Sequence, residues 1–158
     1  MARKEQNNVE YFPFLCKEGI SMYFIENKYG NDGYATWIKI LRELAVTNYH
    51  YLNLSDKKRF MYLSSKCKID DNKLTEIIED LCSLGEFNID LWNQNKIIFS
   101  EKFIDNIKDA YKRRNNKCID LLGLCKHLVS INVISVYINS INDNINTHSI
   151  VEYSKVNN

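Results

Sequence analysis

A chain of 158 residues, 45% of them hydrophobic and 12% aromatic, can bury one core but hardly two. No uninterrupted apolar run approaches the ~18 residues of a membrane span, and the opening residues lead into no apolar signal segment, so a cytoplasmic protein without membrane contact is expected. Five cysteines without any C-x-x-C pair argue against a disulfide framework and against a zinc knuckle, and their default reading is buried free thiols.

The first predicted element follows Phe12-Pro13-Phe14, where the single proline favours an extended entry. A helix over Lys17–Tyr29 is expected to stop at Gly30, and a second to start with Asp32 as its N-cap. Between Tyr34 and Val46 apolar residues recur at three and four, which places Trp37 in the core. Tyr49 to Leu54 alternates as a short strand does, and Ser55 is a candidate cap for the basic helix that follows, with Phe60, Leu63 and Cys67 on its inner side.

A fourth helix is predicted over Asn72–Leu84, capped by Asp71 and burying Leu74, Ile77, Ile78, Leu81 and Leu84 before it ends at Gly85. Phe87, Ile89 and Leu91 then alternate with polar residues, Asn93-Gln94-Asn95 reads as a turn, and Lys96 to Phe99 reads as a returning strand. A β-hairpin is therefore expected here. Ser100-Glu101 opens a last helix with a Phe103, Ile107 and Tyr111 stripe, which closes on Lys112-Arg113-Arg114. Beyond it, Cys118 to Val129 either extends that helix or forms a short amphipathic one. The run Ile131–Ile138 has strand propensity, and Ile141 to Asn146 is Asn-rich low complexity. The organisation read from this is a mainly α domain over residues 9–117 with a small β-hairpin, followed by a linker or tail over 118–158.

Charge is segregated along the chain. Ser55 to Ile69 holds five cations against Asp56, Asp70 to Asp90 holds seven carboxylates against Lys73, and Ser100 to Lys117 holds six cations against three carboxylates. Such blocks are either solvated faces or binding surfaces.

Tyr11-Phe12-Pro13, the Tyr29 to Tyr34 turn, Tyr51-Leu52, Leu84-Gly85-Glu86-Phe87 and Ile97 to Ser100 leading to Tyr111-Lys112-Arg113-Arg114 occur in an order covering roughly residues 9 to 114. In this order the chain resembles the N-terminal winged-helix domain of phage and mobile-element replication proteins related to DnaD. The resemblance implies a winged helix-turn-helix that binds DNA or self-associates in replication initiation, commonly joined by a linker to a separate C-terminal domain. The Asn-rich end departs from that pattern.

The fourth helix, which holds the recognition position in that fold, exposes Glu76, Glu79 and Asp80, and carboxylates facing a polyanion disfavour base reading. Phosphate contacts are expected instead from Lys57, Lys58, Arg59, Lys112, Arg113, Arg114 and Lys117, with Lys96 of the wing adding a minor-groove or backbone touch. The function expected is a non-enzymatic module for DNA, duplex or single-stranded. The alternative is a protein-assembly module, for self-association or for docking replisome proteins, built on the acidic helix 72–84. No Gly-rich phosphate loop, nucleophile elbow or H-E-x-x-H occurs, and Cys118, Cys125 and His127 fit no zinc spacing, so neither catalysis nor a cofactor or metal is expected.

Overall fold

The computed structural model describes residues 5–135, which fall into two compact units divided between Ile119 and Asp120. In the first unit the order is α1 (Ile20–Tyr29), α2 (Asn31–Val46), a 3-10 turn (Asn48–His50), β1 (Leu52–Asn53), α3 (Lys57–Cys67), α4 (Asp71–Ser83), α5 (Ile89–Asn95), β2 (Ile97–Ile98) and α6 (Glu101–Tyr111). The second unit holds α7 (Leu121–Ser130), started by the Asp120 side chain accepting from the Gly123 N–H at 2.7 Å. Residues 118 to 129 therefore do not extend α6. Residues 131–135 are turn and bend, and the Asn-rich run lies outside the described residues.

The core of the first unit is built around α4, which packs against α1, α2, α3 and α5. Its Leu74, Ile77, Ile78 and Leu81 are buried at the predicted three-and-four spacing, together with Ile40 and Leu44 of α2 and Ile25 of α1. Trp37 is buried as expected. Phe103, Ile104, Ile107 and Tyr111 of α6 add a second apolar stripe.

Several local expectations are corrected. The hairpin over residues 87–99 does not form: Asn88 accepts a hydrogen bond from the Leu91 N–H at 3.0 Å and starts α5, which ends at Lys96 in a left-handed conformation. The segment Ile97–Ile98 then pairs not with its neighbour in sequence but with β1, antiparallel, Leu52 opposite Ile98 and Asn53 opposite Ile97. The fold is mainly helical with a two-stranded antiparallel sheet, and no wing hairpin stands on it among the described residues.

Two caps lie one residue from their predicted places. Asp56, not Ser55, caps α3, and Asp70, not Asp71, caps α4, because only these side chains reach the N–H groups of Lys58 and Lys73. Asp32 lies inside the first turn of α2, whose N-cap is Gly30, and α1 starts at Ile20 instead of Lys17. Of the five free cysteines, Cys67, Cys82 and Cys125 are buried, whereas Cys118 is half-buried and Cys16 is exposed.

The stretch from Asn7 to Phe12, ahead of α1, is tied to the first unit. Val9 N–H donates to Ala45 O at 2.8 Å, Tyr49 N–H donates to Asn7 O at 2.9 Å, and Phe12 meets Phe103 edge-on at 5.2 Å.

Candidate nucleic-acid interface

Helix α3 is basic throughout: from Lys57 to Lys68 it carries cations and no carboxylate. Leu63, Ser64 and Cys67 face inward, so the opposite side is left to Lys58, Arg59, Met61, Tyr62 and Ser65. Lys57, Lys58 and Arg59 are exposed and make no ion pair among the described residues. They cluster at the helix N-terminus, where unpaired N–H groups and the helix dipole already favour an anion. Asp56, which caps that end, is the one nearby carboxylate of the segment.

The sheet adds a fourth cation. Pairing of Asn53 with Ile97, followed by the Leu54 N–H to Lys96 O bond at 2.9 Å, brings Lys96 beside the entry to α3. Its ammonium stands 4.7 Å from the centre of the Trp92 ring. Sequence distance hides this neighbourhood, because the pairing depends on a strand that leaves α5 rather than on a hairpin.

The cations at the end of α6 divide by role. Lys112 pairs with Asp109 at 2.7 Å. Arg114 is engaged within the chain: its Nη1 donates to Gln6 O at 2.9 Å and to Asn8 O at 2.8 Å, and the guanidinium lies 4.5 Å from the Tyr111 ring centre. Arg113 and Lys117 remain exposed without an ion pair among the described residues.

Between the two basic groups runs the segment Asn48–Asn53. In its middle His50, buried, bonds the Tyr111 hydroxyl through Nε2 at 2.6 Å. Burial raises the pKa of its neighbour Tyr51, and the charge of Arg59 opposes that shift. Tyr49 and His50 both adopt positive φ, of 63° and 53°, a conformation that side chains other than Gly rarely take.

Helix α4 makes ion pairs with both α1 and α2. Lys73 pairs with Asp32 of α2 at 2.6 Å, and Asp80 accepts from Lys28 and from the Tyr29 hydroxyl of α1, each at 2.6 Å. Burial alone would raise the Asp80 pKa, but these two donors hold it below its ordinary value. Glu76 and Glu79 stay exposed. Part of the acidic face therefore binds its own chain.

Met61 and Tyr62 were not singled out from the sequence, yet they stand 49% and 58% exposed among the cations of α3. The available signal was the complement of the Phe60, Leu63 and Cys67 stripe: what does not face inward on a helix faces water. Lys66 Nζ lies 5.6 Å from the Tyr62 ring and is held by Glu43, a bond that raises its pKa. Among the described residues no three His, Cys, Asp or Glu side chains converge as metal ligands would, and no helix is long and apolar enough to cross a membrane.

The first unit is thus a mainly α domain whose two middle helices, α3 and α4, are joined by the three-residue turn 68–70 and flanked by a two-stranded sheet. Residues 11–103 match the family described as Lin1244/Lin1753-like, N-terminal, and the chain belongs to that family. No curated protein and no solved structure matches it.

Proposed function

We propose that this domain is a non-enzymatic DNA-binding module that grips phosphates through the N-terminal end of α3, in a phage or mobile-element replication-initiation protein of the kind that the resemblance to DnaD-related proteins implies. The observation that carries this reading is the convergence of Lys57, Lys58 and Arg59 with Lys96 across the β1–β2 pairing, on a helix without carboxylates. Exposed Arg113 and Lys117 are the further candidates for phosphate contact. Such a face binds by releasing counterions and reads sequence weakly. Assembly through α4 is the weaker reading, since Lys73 and Asp80 are already engaged within the chain.

The test is fluorescence anisotropy of the full chain with labelled duplex and single-stranded DNA over a salt series. Each phosphate neutralised contributes about 0.9 to the logarithmic salt slope on duplex and about 0.7 on a single strand. Replacing Lys57, Lys58 and Arg59 together by Gln is expected to flatten the duplex slope by about 3 and to weaken every sequence alike. Unchanged affinity and slope in that variant would remove α3 from the interface. Comparing the two DNA forms then decides which strand state the face prefers.

A further inference from the structure

Helix α1 carries six apolar side chains in ten residues, yet only Ile25 of it is buried. Ile25 and Tyr29 form its inner face: Ile25 closes on Gly33 of α2, and Tyr29 bonds Asp80 of α4. Ile20, Tyr23 and Phe24, spaced by three and four, form the opposite stripe, and they stand 86%, 64% and 45% exposed. The apolar stripe of a helix is normally the face that is covered. Here the outward stripe is bare, and nothing in the basic face on α3 uses it.

We propose that this stripe is a two-fold contact between copies of the chain, α1 crossing α1 of a second copy with Tyr23 and Phe24 near the axis. The area supports it. With about 200 Å² on each large side chain, the exposed fractions leave about 400 Å² of apolar surface. Interfaces are roughly 60% apolar, so this much apolar centre belongs to about 650 Å² per chain and about 1,300 Å² for a pair, within the standard size.

The occupant follows from charge. A two-fold contact sets a surface against itself, so a face of one sign repels its own copy. The α3 face is wholly basic and exposed Glu76 and Glu79 make α4 acidic, whereas the run from Gly19 to Ile25 carries no charge. Of these three surfaces only α1 meets its copy without burying like charges.

Sedimentation velocity of the full chain over about 10 to 300 µM tests this, at low and high salt. The expected result is a concentration-dependent dimer that persists as salt rises, because its centre is apolar. Ile20→Glu and Tyr23→Lys, made separately at exposed positions, are each expected to raise the dissociation constant by about a hundredfold or more, since a two-fold contact repeats every substitution. Far-UV circular dichroism establishes that each variant folds. A chain that stays monomeric at the highest concentration overturns the proposal. So does a dimer that either folded variant leaves intact.

Discussion

Arg114 shows that a cation in a basic run is not by that fact a ligand-binding cation. Its donors end on the carbonyls of Gln6 and Asn8 and its plane lies on Tyr111, so it fastens the segment before α1 to the end of α6. The two hydrogens of one Nη1 serve two carbonyls while the guanidinium plane lies on Tyr111, a combination that an ammonium on a shorter reach serves poorly. Arg114→Ala and Arg114→Lys are therefore both expected to lower stability, by about 1–3 kcal/mol, read from urea midpoints. The Lys variant keeps the charge and is expected to keep its DNA affinity.

His50 sits beside this clamp and makes stability depend on pH. Its Nδ1 lies 2.9 Å from Leu44 O, an oxygen that can only accept, so Nδ1 carries the proton and Nε2 accepts from the Tyr111 hydroxyl. Burial lowers its pKa below the ordinary 6.5, the Leu44 carbonyl opposes that shift, and the charge of Arg114 adds to it. The unfolded chain then takes up this proton at a higher pH than the folded one. The neutral ring's contribution is complete above about pH 6.5 and is lost as pH falls toward the lowered folded value. Wild type is expected to lose more stability between pH 7 and 5 than His50→Gln, measured by denaturant unfolding at each pH; equal losses would free His50 of this role.

At the scale of elements, the crossing of α1 and α2 depends on Gly33. A Cβ there would lie 2.7 Å from Ile25 Cγ2 and 2.8 Å from both Ile25 O and Tyr29 Cβ, so backbone and side chain would both have to move. Alanine gains about 1 kcal/mol of helix propensity at such a site, but the overlap with backbone outweighs it. Gly33→Ala is expected to destabilise by about 1–3 kcal/mol net, seen as a lower urea midpoint with an unchanged slope. In the sequence Gly33 looked like a turn residue, because Gly30-Asn31-Asp32-Gly33 has turn composition; a close approach between helices leaves no local mark.

The same contrast separates what was legible from what was not. The stripes of α2, α4 and α6 span three or more turns, so their periodicity stands out and their buried faces were readable. Helix α5 has seven residues, too few for period 3.6 to separate from period 2, and the alternation of Phe87, Ile89 and Leu91 read as a strand. What decides it is one side chain, Asn88, capping Leu91, together with a left-handed Lys96. The charge of the candidate site was visible from the start. That Lys96 lies beside the entry to α3 while Arg114 bonds the segment before α1 depends on contacts across 42 and 106 residues, which no local pattern encodes.

For the whole molecule, a net charge of +1 gives little general attraction to a polyanion, so affinity has to come from the local block on α3 and from copy number. The proposed two-fold on α1 uses none of the residues of the basic face. A dimer would therefore present two such faces, and on a duplex long enough for both, the second contact forms at a raised effective concentration. Duplexes of about 12 and about 40 base pairs should then differ in apparent affinity by more than their number of sites explains, tenfold or more at low salt. Tyr23→Lys is expected to remove that excess while leaving the short duplex bound as before. If Tyr23→Lys keeps the full excess, the two faces are not coupled through α1. If the excess is missing in wild type while a dimer forms, the two faces do not reach one duplex together.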